Sequence, residues 1–322
     1  MNSRKKIRVA VIGVGYLGRL HALKYPMIDE ATLVGVTDRD FKRAEEIARE
    51  TGSRAYADYR EFFGRVDAVS IVTPTESHCR IGLDFLSRGV DVMMEKPIAA
   101  HSREAVELIK AAEKSKAVLQ VGHLERFNAA VAEVNSGRIK DPVYIETQRL
   151  APFPNRGTDV DVILDLMIHD IDIVLDMVKS EIASVEASGM PVISGKLDFA
   201  NARIKFKNGC TANLTASRVS RDKVRRLNIF QPGSLLAVDY ATQQLCVSRI
   251  VPDAHGGFST LVEEAPELEK KDAILEELKA FVRSSSERSA AVVSGQDGKL
   301  ALEVAEMIQA RTADGLKSFK LS

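Results

Sequence analysis

Asp165 and His169 stand four residues apart within residues 160 to 178, a segment of predominantly apolar character. Together with Asp161 they recur at every fourth position, which places all three on one face of a predicted helix. The apolar surroundings predict that this helix is buried, and buried polar side chains must be paired or functional. Asp165 can hold the His169 imidazole in one tautomer and stabilise its protonated form, as a general base requires. Two alternatives stay open: a metal pair whose other ligands are not evident, or helix capping by Asp159 or Asp161.

Lys96 is a second candidate for chemistry, within Glu95-Lys96-Pro97 at the end of a predicted strand. A lysine at the mouth of a cleft loses hydration unless it has a partner or a function, and a salt-bridged surface lysine is the alternative. The loop Thr73-Pro74-Thr75-Glu76-Ser77-His78 follows another predicted strand. It is either part of a ligand site or a proline turn that caps a helix.

Gly13, Gly15 and Gly18 directly follow a short β-branched run, in the spacing Gly-x-Gly-x-x-Gly. Glycines in this context allow a tight turn, close approach of the backbone to a pyrophosphate and close helix–strand packing. The helix predicted from Tyr16 and Leu17 onward would direct its N-terminal N–H groups at the phosphates. These residues predict a dinucleotide site.

Asp38 lies 20 residues after Gly18, at the end of the second predicted strand. An acidic side chain there can hydrogen-bond both hydroxyls of the adenosine ribose and repel a 2′-phosphate, which favours NAD. Arg39 keeps NADP as an alternative, because an arginine can pair with a 2′-phosphate.

The composition limits the classes of function. The 322 residues include 45% hydrophobic residues, enough for a sizeable core and two domains. Lys+Arg and Asp+Glu are both 45, which argues against nucleic acid or an anionic membrane as a partner. Cys79, Cys210 and Cys246 show no paired spacing and predict reduced thiols in a cytoplasmic protein, with no metal site. We expect neither a secretory signal nor a membrane span.

Two kinds of pattern divide the chain. Residues 1–122 alternate apolar strands with amphipathic helices, as in a doubly wound parallel sheet. Residues 123–322 contain long strands, the hairpin signals Asn208-Gly209 and Pro232-Gly233, the helix with His169, and two closing helices near 272–285 and 297–312. The fold class is therefore α/β, with a second α+β domain.

In order and in residue type, these motifs resemble the glucose–fructose oxidoreductase/inositol dehydrogenase/rhizopine catabolism (Gfo/Idh/MocA) superfamily over essentially the whole chain. The resemblance implies an N-terminal Rossmann domain and a C-terminal domain with a large open, mainly antiparallel sheet. It also implies dimers or tetramers joined through that sheet. Lys96, Asp165 and His169 would face the nicotinamide and the substrate. Cofactor contacts would come from Thr73, Pro74, His78, Glu95 and Pro97, with a cis bond before Pro97.

The segment from Asp159 to Asp170 lacks the glycines of the commonest family pattern. With Gly122-His123-x-Glu125-Arg126-Phe127-Asn128, it is similar to the branch that acts on UDP-N-acetylglucosamine. That branch oxidises the sugar C3 hydroxyl so that a partner aminotransferase can install nitrogen for lipid A. Arg126, Asn128, Arg149 and Arg156 would supply groups that bind hydroxyls and phosphates, although each arginine could instead be a solvated surface charge. His123 would touch the substrate or merely cap a strand.

The resulting hypothesis is hydride transfer from a carbinol carbon of a nucleotide sugar to the nicotinamide. His169, oriented by Asp165, takes the hydroxyl proton; Lys96 hydrogen-bonds the same oxygen or exchanges roles with His169. The competing functions are oxidation of inositol or a free sugar, or reduction of an imine or biliverdin-type substrate. A non-catalytic dinucleotide sensor is the alternative that is not an enzyme. The presence of Lys96, Asp165 and His169 argues against it, because a sensor does not need groups that activate a hydroxyl.

Overall fold

Six parallel strands form the sheet of the first of two units, in the order β3-β2-β1-β4-β5-β6. The computed structural model describes residues 6–153, 160–251 and 260–318. The chain order reverses between β1 and β4, where doubly wound sheets bind ligands at the carboxyl ends of the strands. The six strands are Ile7–Ile12 (β1), Ala31–Thr37 (β2), Arg54–Tyr56 (β3), Ala68–Ile71 (β4), Asp91–Glu95 (β5) and Leu119–Gly122 (β6).

The helices have the following bounds: Tyr16–Lys24 (α1), Phe41–Thr51 (α2), His78–Leu86 (α3), Ser102–Ser115 (α4), Ala129–Asn135 (α5), Ile168–Val178 (α6), Ala273–Glu287 (α7) and Gly295–Ser318 (α8). Local chemistry fixes their ends. At α2, for example, the Asp40 side chain accepts the Arg43 N–H, and Gly52 closes the helix with φ +66°.

The first unit comprises residues 1–124 and 272–300, and the second comprises 125–271 and 301–322. The predicted division after Gly122 therefore lies close to the first boundary but assigns 272–300 differently. The physical reason is burial: Leu278 and Phe281 of α7 are fully buried in one cluster with Val9 and Val11 of β1. Helix periodicity alone does not specify which core a terminal helix covers.

The second unit contains a mixed sheet of eight strands, in the order β14-β13-β12-β11-β7-β10-β9-β8. Within the described strands of this second sheet, only the β7–β10 pair is parallel, so the mainly antiparallel sheet is confirmed. Strand β7 alternates buried and half-buried residues, because one sheet face packs on the core with α6. The strands are Tyr144–Leu150 (β7), Ile182–Met190 (β8), Phe199–Phe206 (β9), Thr211–Ser217 (β10), Val224–Gln231 (β11), Ser234–Asp239 (β12), Gln244–Val251 (β13) and Thr260–Glu264 (β14).

Both predicted hairpins are confirmed. Asn208-Gly209 connects β9 to β10, and Pro232-Gly233 connects β11 to β12. Gly209 and Gly233 adopt φ values of +92° and +75°, which glycine reaches without strain.

The helix predicted over 160–178 differs in its first turn. Residues Ile163–Met167 form a π-helical turn that leads directly into α6. A π turn accommodates one extra residue and is common at functional sites. The placement of Asp165 and His169 on one helix face stays a prediction. No described helix combines the length and the apolar composition needed to cross a bilayer.

Candidate active site

A cleft of about 700 Å³ opens at the carboxyl ends of β1, β2 and β4. A side chain on Gly13 would place Cβ 2.6 Å from the Val72 carbonyl oxygen, and one on Gly18 would lie 1.9 Å from that of Gly13. Gly15 caps α1, and its Cβ position has no atom within 4 Å. The loop thus packs tightly on the protein side and leaves Gly15 open to a ligand, which fits a dinucleotide phosphate.

Asp38 closes this loop from the end of β2. Its carboxylate accepts the Val14 N–H at 2.8 Å and the Asp40 N–H at 2.9 Å. The side chain is 11% exposed and lines the cleft, so it can also face a ribose. Asp38 therefore shapes the glycine-rich loop in addition to its predicted role.

The cleft carries more positive charge than the sequence analysis identified. Arg39 lines it as predicted, and so do Arg43, Arg60 and Arg80. The Arg43 guanidinium lies 3.5 Å from the Asp38 carboxylate. Arg43 could have been found from its position in the first turn of the helix after Asp38, whereas Arg60 and Arg80 come from distant segments.

His78 connects the two predicted loops of the first unit. Its Nε2 lies 2.8 Å from the Thr73 carbonyl oxygen and its Nδ1 lies 3.0 Å from that of Pro97. The ring is buried, and burial lowers the pKa of His78 despite these two carbonyl groups. His78 thus positions the loops, and both of its ring nitrogens are used by the protein.

Glu95 is the last residue of β5, and Lys96 and Pro97 follow the strand. The Lys96–Pro97 peptide bond is cis, as the resemblance implies. Glu95 is 7% exposed, and its Oε2 accepts the Lys96 N–H at 3.2 Å. The Lys96 side chain is half-buried. Tyr16 is 78% exposed at the start of α1, followed by half-buried Leu17.

In the second unit, Asp165 lies in the π turn and His169 in the first turn of α6, and both are half-buried. The Asp161 carboxylate accepts the N–H groups of Ile163 and Leu164, each at 3.0 Å, and the amide of Gln309 at 2.5 Å. Asp161 is therefore a helix cap, one of the alternatives left open by the sequence.

Val160, the residue before Asp161, is held by a hydrogen bond from Arg218. Arg218 is buried, donates to the Val160 carbonyl oxygen at 2.7 Å and pairs with Asp198 at 2.8 Å. The sequence gives no signal for this pair, because the two residues are distant in the chain and carry no motif.

The predicted substrate ligands of the second unit have protein partners in this structure. Arg149 is 3% exposed; it donates two hydrogen bonds to Asp170, at 3.0 and 2.9 Å, and one to Glu125 at 2.9 Å. Arg126 pairs with Asp172 at 2.6 Å and with Asp176 at 2.7 Å.

Asn128 caps α5 by accepting the Ala130 N–H, and its amide donates to the Tyr240 carbonyl oxygen at 2.9 Å. Arg126, Asn128 and Arg149 thus each have protein partners, and their contact with a substrate stays a prediction. His123 is buried, and its contact with substrate stays a prediction. Arg156 lies outside the described residues.

Burial and neighbouring charges together shift the pKa values of Arg149 and Asp170. Burial lowers the pKa of Arg149, but the carboxylates of Asp170 and Glu125 raise it further, so the guanidinium is charged. The pKa of Asp170 is raised, first by burial and also by the neighbouring Glu125 carboxylate, although Arg149 acts to lower it. Since Asp170 directly follows His169, the network fixes the helix turn that carries the candidate base.

The parallel sheet, the glycine-rich loop and the mixed sheet define a Rossmann-type oxidoreductase. Residues 7–123 match the family model described as the oxidoreductase family with an NAD-binding Rossmann fold. Residues 127–231 match the GFO/IDH/MocA C-terminal domain. The chain belongs to the Gfo/Idh/MocA family, and it is an NAD(P)-dependent oxidoreductase that acts on CH–OH groups.

Two named dehydrogenases are similar to the chain over most of its length. The chain is 37% identical to UDP-N-acetylglucosamine 3-dehydrogenase from Acidithiobacillus ferrooxidans, over 95% of this chain and 97% of that protein. A solved structure of that name from the same organism has a TM-score of 0.90 and 36% identity, covering 96% and 98% of the two chains. Myo-inositol 2-dehydrogenase from Thermotoga maritima is 27% identical over 92% of this chain and 93% of its own length.

Proposed function

We propose that the protein oxidises the C3 hydroxyl of UDP-N-acetylglucosamine to the 3-keto sugar, with NAD as the oxidant. The observation that carries this proposal is the similarity to a UDP-N-acetylglucosamine 3-dehydrogenase, which extends over nearly the full length of both chains. Similarity confined to the Rossmann unit would indicate only a shared cofactor site, whereas this similarity also covers the second unit, which carries Asp165 and His169.

The cofactor would be held by the first unit. The glycine-rich loop and the start of α1 receive the phosphates, and Asp38 receives the ribose hydroxyls. The bound dinucleotide supplies the hydride acceptor, so the protein contributes orientation and electrostatics. NAD is favoured over NADP because the Asp38 carboxylate repels a 2′-phosphate, and its contact with Arg43 partly neutralises the arginine that a phosphate would use.

The catalytic roles fall to Lys96, Asp165 and His169. His169 takes the proton from the sugar hydroxyl as the hydride leaves the same carbon, and Asp165 stabilises the resulting imidazolium. Lys96 donates a hydrogen bond to the reacting oxygen and stabilises its negative charge. The balance is one hydride lost from carbon, one proton lost from oxygen and one carbonyl formed.

Arg149 enters this proposal as a positioning residue. Three of the five N–H donors of its guanidinium bond to Asp170 and Glu125, which supports a role in holding the turn that carries His169. Arg126 likewise donates two hydrogen bonds to Asp172, further along α6, and has the same positioning role in this proposal.

The wider context is part of the same proposal. A 3-keto sugar is a carbonyl compound that an aminotransferase can aminate, which fits a partner aminotransferase and a role in lipid A synthesis in the cytoplasm. Homodimers or homotetramers would use the large sheet, on which Met190, Phe230 and Ile250 are exposed apolar residues.

The test is reduction of NAD, followed by the absorbance of the reduced nicotinamide. UDP-N-acetylglucosamine is compared with free N-acetylglucosamine and with myo-inositol, and glutamate with an aminotransferase is added to remove the keto product. Reduction with the nucleotide sugar alone supports the proposal. Faster reduction with myo-inositol assigns the chain to polyol oxidation, which its similarity to the Thermotoga enzyme favours as the second candidate. Cofactor binding without reduction of any substrate would favour the sensor.

A further inference from the structure

His21, Glu95 and Glu277 form a buried cluster inside the first unit. They come from α1, β5 and α7, and they are 0%, 7% and 1% exposed. One nitrogen of the histidine and one oxygen of each glutamate all lie within 4.8 Å of one another. His21 Nε2 is 3.3 Å from Glu95 Oε1. The sequence predicts no metal site here, because the three residues are far apart in the chain and form no motif.

Three polar atoms of this cluster have no hydrogen-bond partner among the described residues. They are the two ring nitrogens of His21 and the Oε1 atom of Glu277, each without a hydrogen bond in the part of the chain that the structure describes. Glu95 Oε2 accepts the Lys96 N–H, while Glu95 Oε1 faces the histidine. Buried polar atoms are almost always bonded, so an imidazole nitrogen and a carboxylate oxygen without partners, next to a second buried carboxylate, indicate a missing cationic partner.

We propose that His21, Glu95 and Glu277 bind a divalent transition-metal ion of the zinc type. One imidazole nitrogen with two carboxylate oxygens is a donor set that such ions accept. The ion's two positive charges equal the charge of the two carboxylates, which removes the cost of burying both. Ligand atoms around zinc lie about 3.4 Å apart at a metal–ligand distance of about 2.1 Å. Rotation of the flexible glutamate side chains can bring the three atoms to that spacing.

The position of the cluster indicates what the ion would do. α1 leaves the glycine-rich loop, β5 ends at Glu95 directly before Lys96, and α7 belongs to the segment that returns to this unit after the second sheet. Glu277 is also held through its backbone, since the Gln120 amide donates to its carbonyl oxygen at 3.1 Å. The ion would therefore join three segments of the first unit and stabilise the Glu95 side chain behind Lys96. It is a structural site, separate from the hydride chemistry.

The experiment measures metal content by inductively coupled plasma mass spectrometry, on full-length protein purified without chelators. The variants are His21→Ala and the isosteric Glu277→Gln. The matched control is Glu276→Gln, which changes a neighbouring residue of α7 that pairs with Lys279. The unchanged chain and the control should carry about one transition-metal ion per chain, and each cluster variant less than about one tenth of that. Removal of the ion by unfolding in chelator, followed by refolding with and without Co²⁺, should give a visible cobalt spectrum and a higher Tm with the ion.

Two results would overturn the proposal. The first is that the unchanged protein is purified without a transition metal and gains nothing from one on refolding. Its Tm would then be the same with and without Zn²⁺, Co²⁺ or Mn²⁺, and Co²⁺ would give no visible spectrum. Protons shared among the three side chains would then neutralise the cluster. The second is metal content that is equal in the unchanged chain and both cluster variants, which would place the ion elsewhere. Neither result depends on substrate turnover.

Discussion

Replacing Arg149 by Met would leave one buried carboxylate, Asp170, and one half-buried carboxylate, Glu125, without their cation. Asp170 is 1% exposed and accepts two hydrogen bonds from Arg149, while the Glu125 side chain is 14% exposed and accepts one. Methionine fills much of the arginine stem's volume, so the change removes charge and hydrogen bonds more than packing.

The expected loss follows from this burial. Removing one partner of a buried ion pair costs about 3–5 kcal/mol, because the remaining charge stays uncompensated. At a few degrees per kcal/mol for a unit of this size, the Tm should fall by about 10 °C. Asp170 would take up a proton to relieve the cost. Arg149→Met combined with Asp170→Leu should recover at least about 2 kcal/mol, since Glu125 retains access to solvent.

The assay is thermal and urea unfolding of the single and double variants, with kcat measured in parallel. Arg226→Met is the matched control, because Arg226 is an exposed arginine on β11, which pairs with β7. The control should change the Tm by no more than about 2 °C. An Arg149→Met variant as stable as the control, or a double variant no more stable than the single one, would refute the reasoning.

Three further predictions concern the candidate site. Lys96→Met and His169→Ala should each lower kcat by about two to four decades, because both remove proton-transfer or charge stabilisation; near-normal kcat in both would remove the catalytic assignment. Asp38→Ala should lower kcat/KM with NAD by about tenfold or more and raise the NADP to NAD ratio, whereas an unchanged ratio would argue against the ribose contact. Because burial lowers the pKa of His78, the native state binds fewer protons than the unfolded state just below about pH 6.5. Stability should therefore fall as the pH drops through that window, and His78→Gln should flatten the dependence in urea titrations; equal slopes would contradict it.

Local signals were sufficient where the structure depends on near neighbours in sequence. The glycine spacing at Gly13 to Gly18, the hairpin at Asn208-Gly209 and the helix from Ser102 to Ser115 all express short-range geometry, and each is present. The short edge strands β3 and β14 were missed, since a few paired residues leave little periodicity. Strand β8 was also missed, because small residues weaken its alternation.

In the candidate site, too, the sequence predicts local features but not those that depend on contacts between distant segments. The sequence identifies Asp165 and His169 as unusual in an apolar helix, yet it does not reveal the π turn, which depends on how the chain packs. It also does not reveal that Arg149 pairs with Asp170, because an arginine looks the same in sequence whether it meets a carboxylate or a phosphate. Ion pairs between distant segments are set by the tertiary fold.

The most direct test of the proposed reaction uses UDP-N-acetylglucosamine with deuterium at C3 only. We predict that the deuterium appears in the reduced nicotinamide by mass spectrometry, that the released sugar is the 3-keto compound, and that single turnover slows relative to the unlabelled substrate. Reduced nicotinamide without deuterium, together with sugar that retains the label at C3, would contradict oxidation at this carbon.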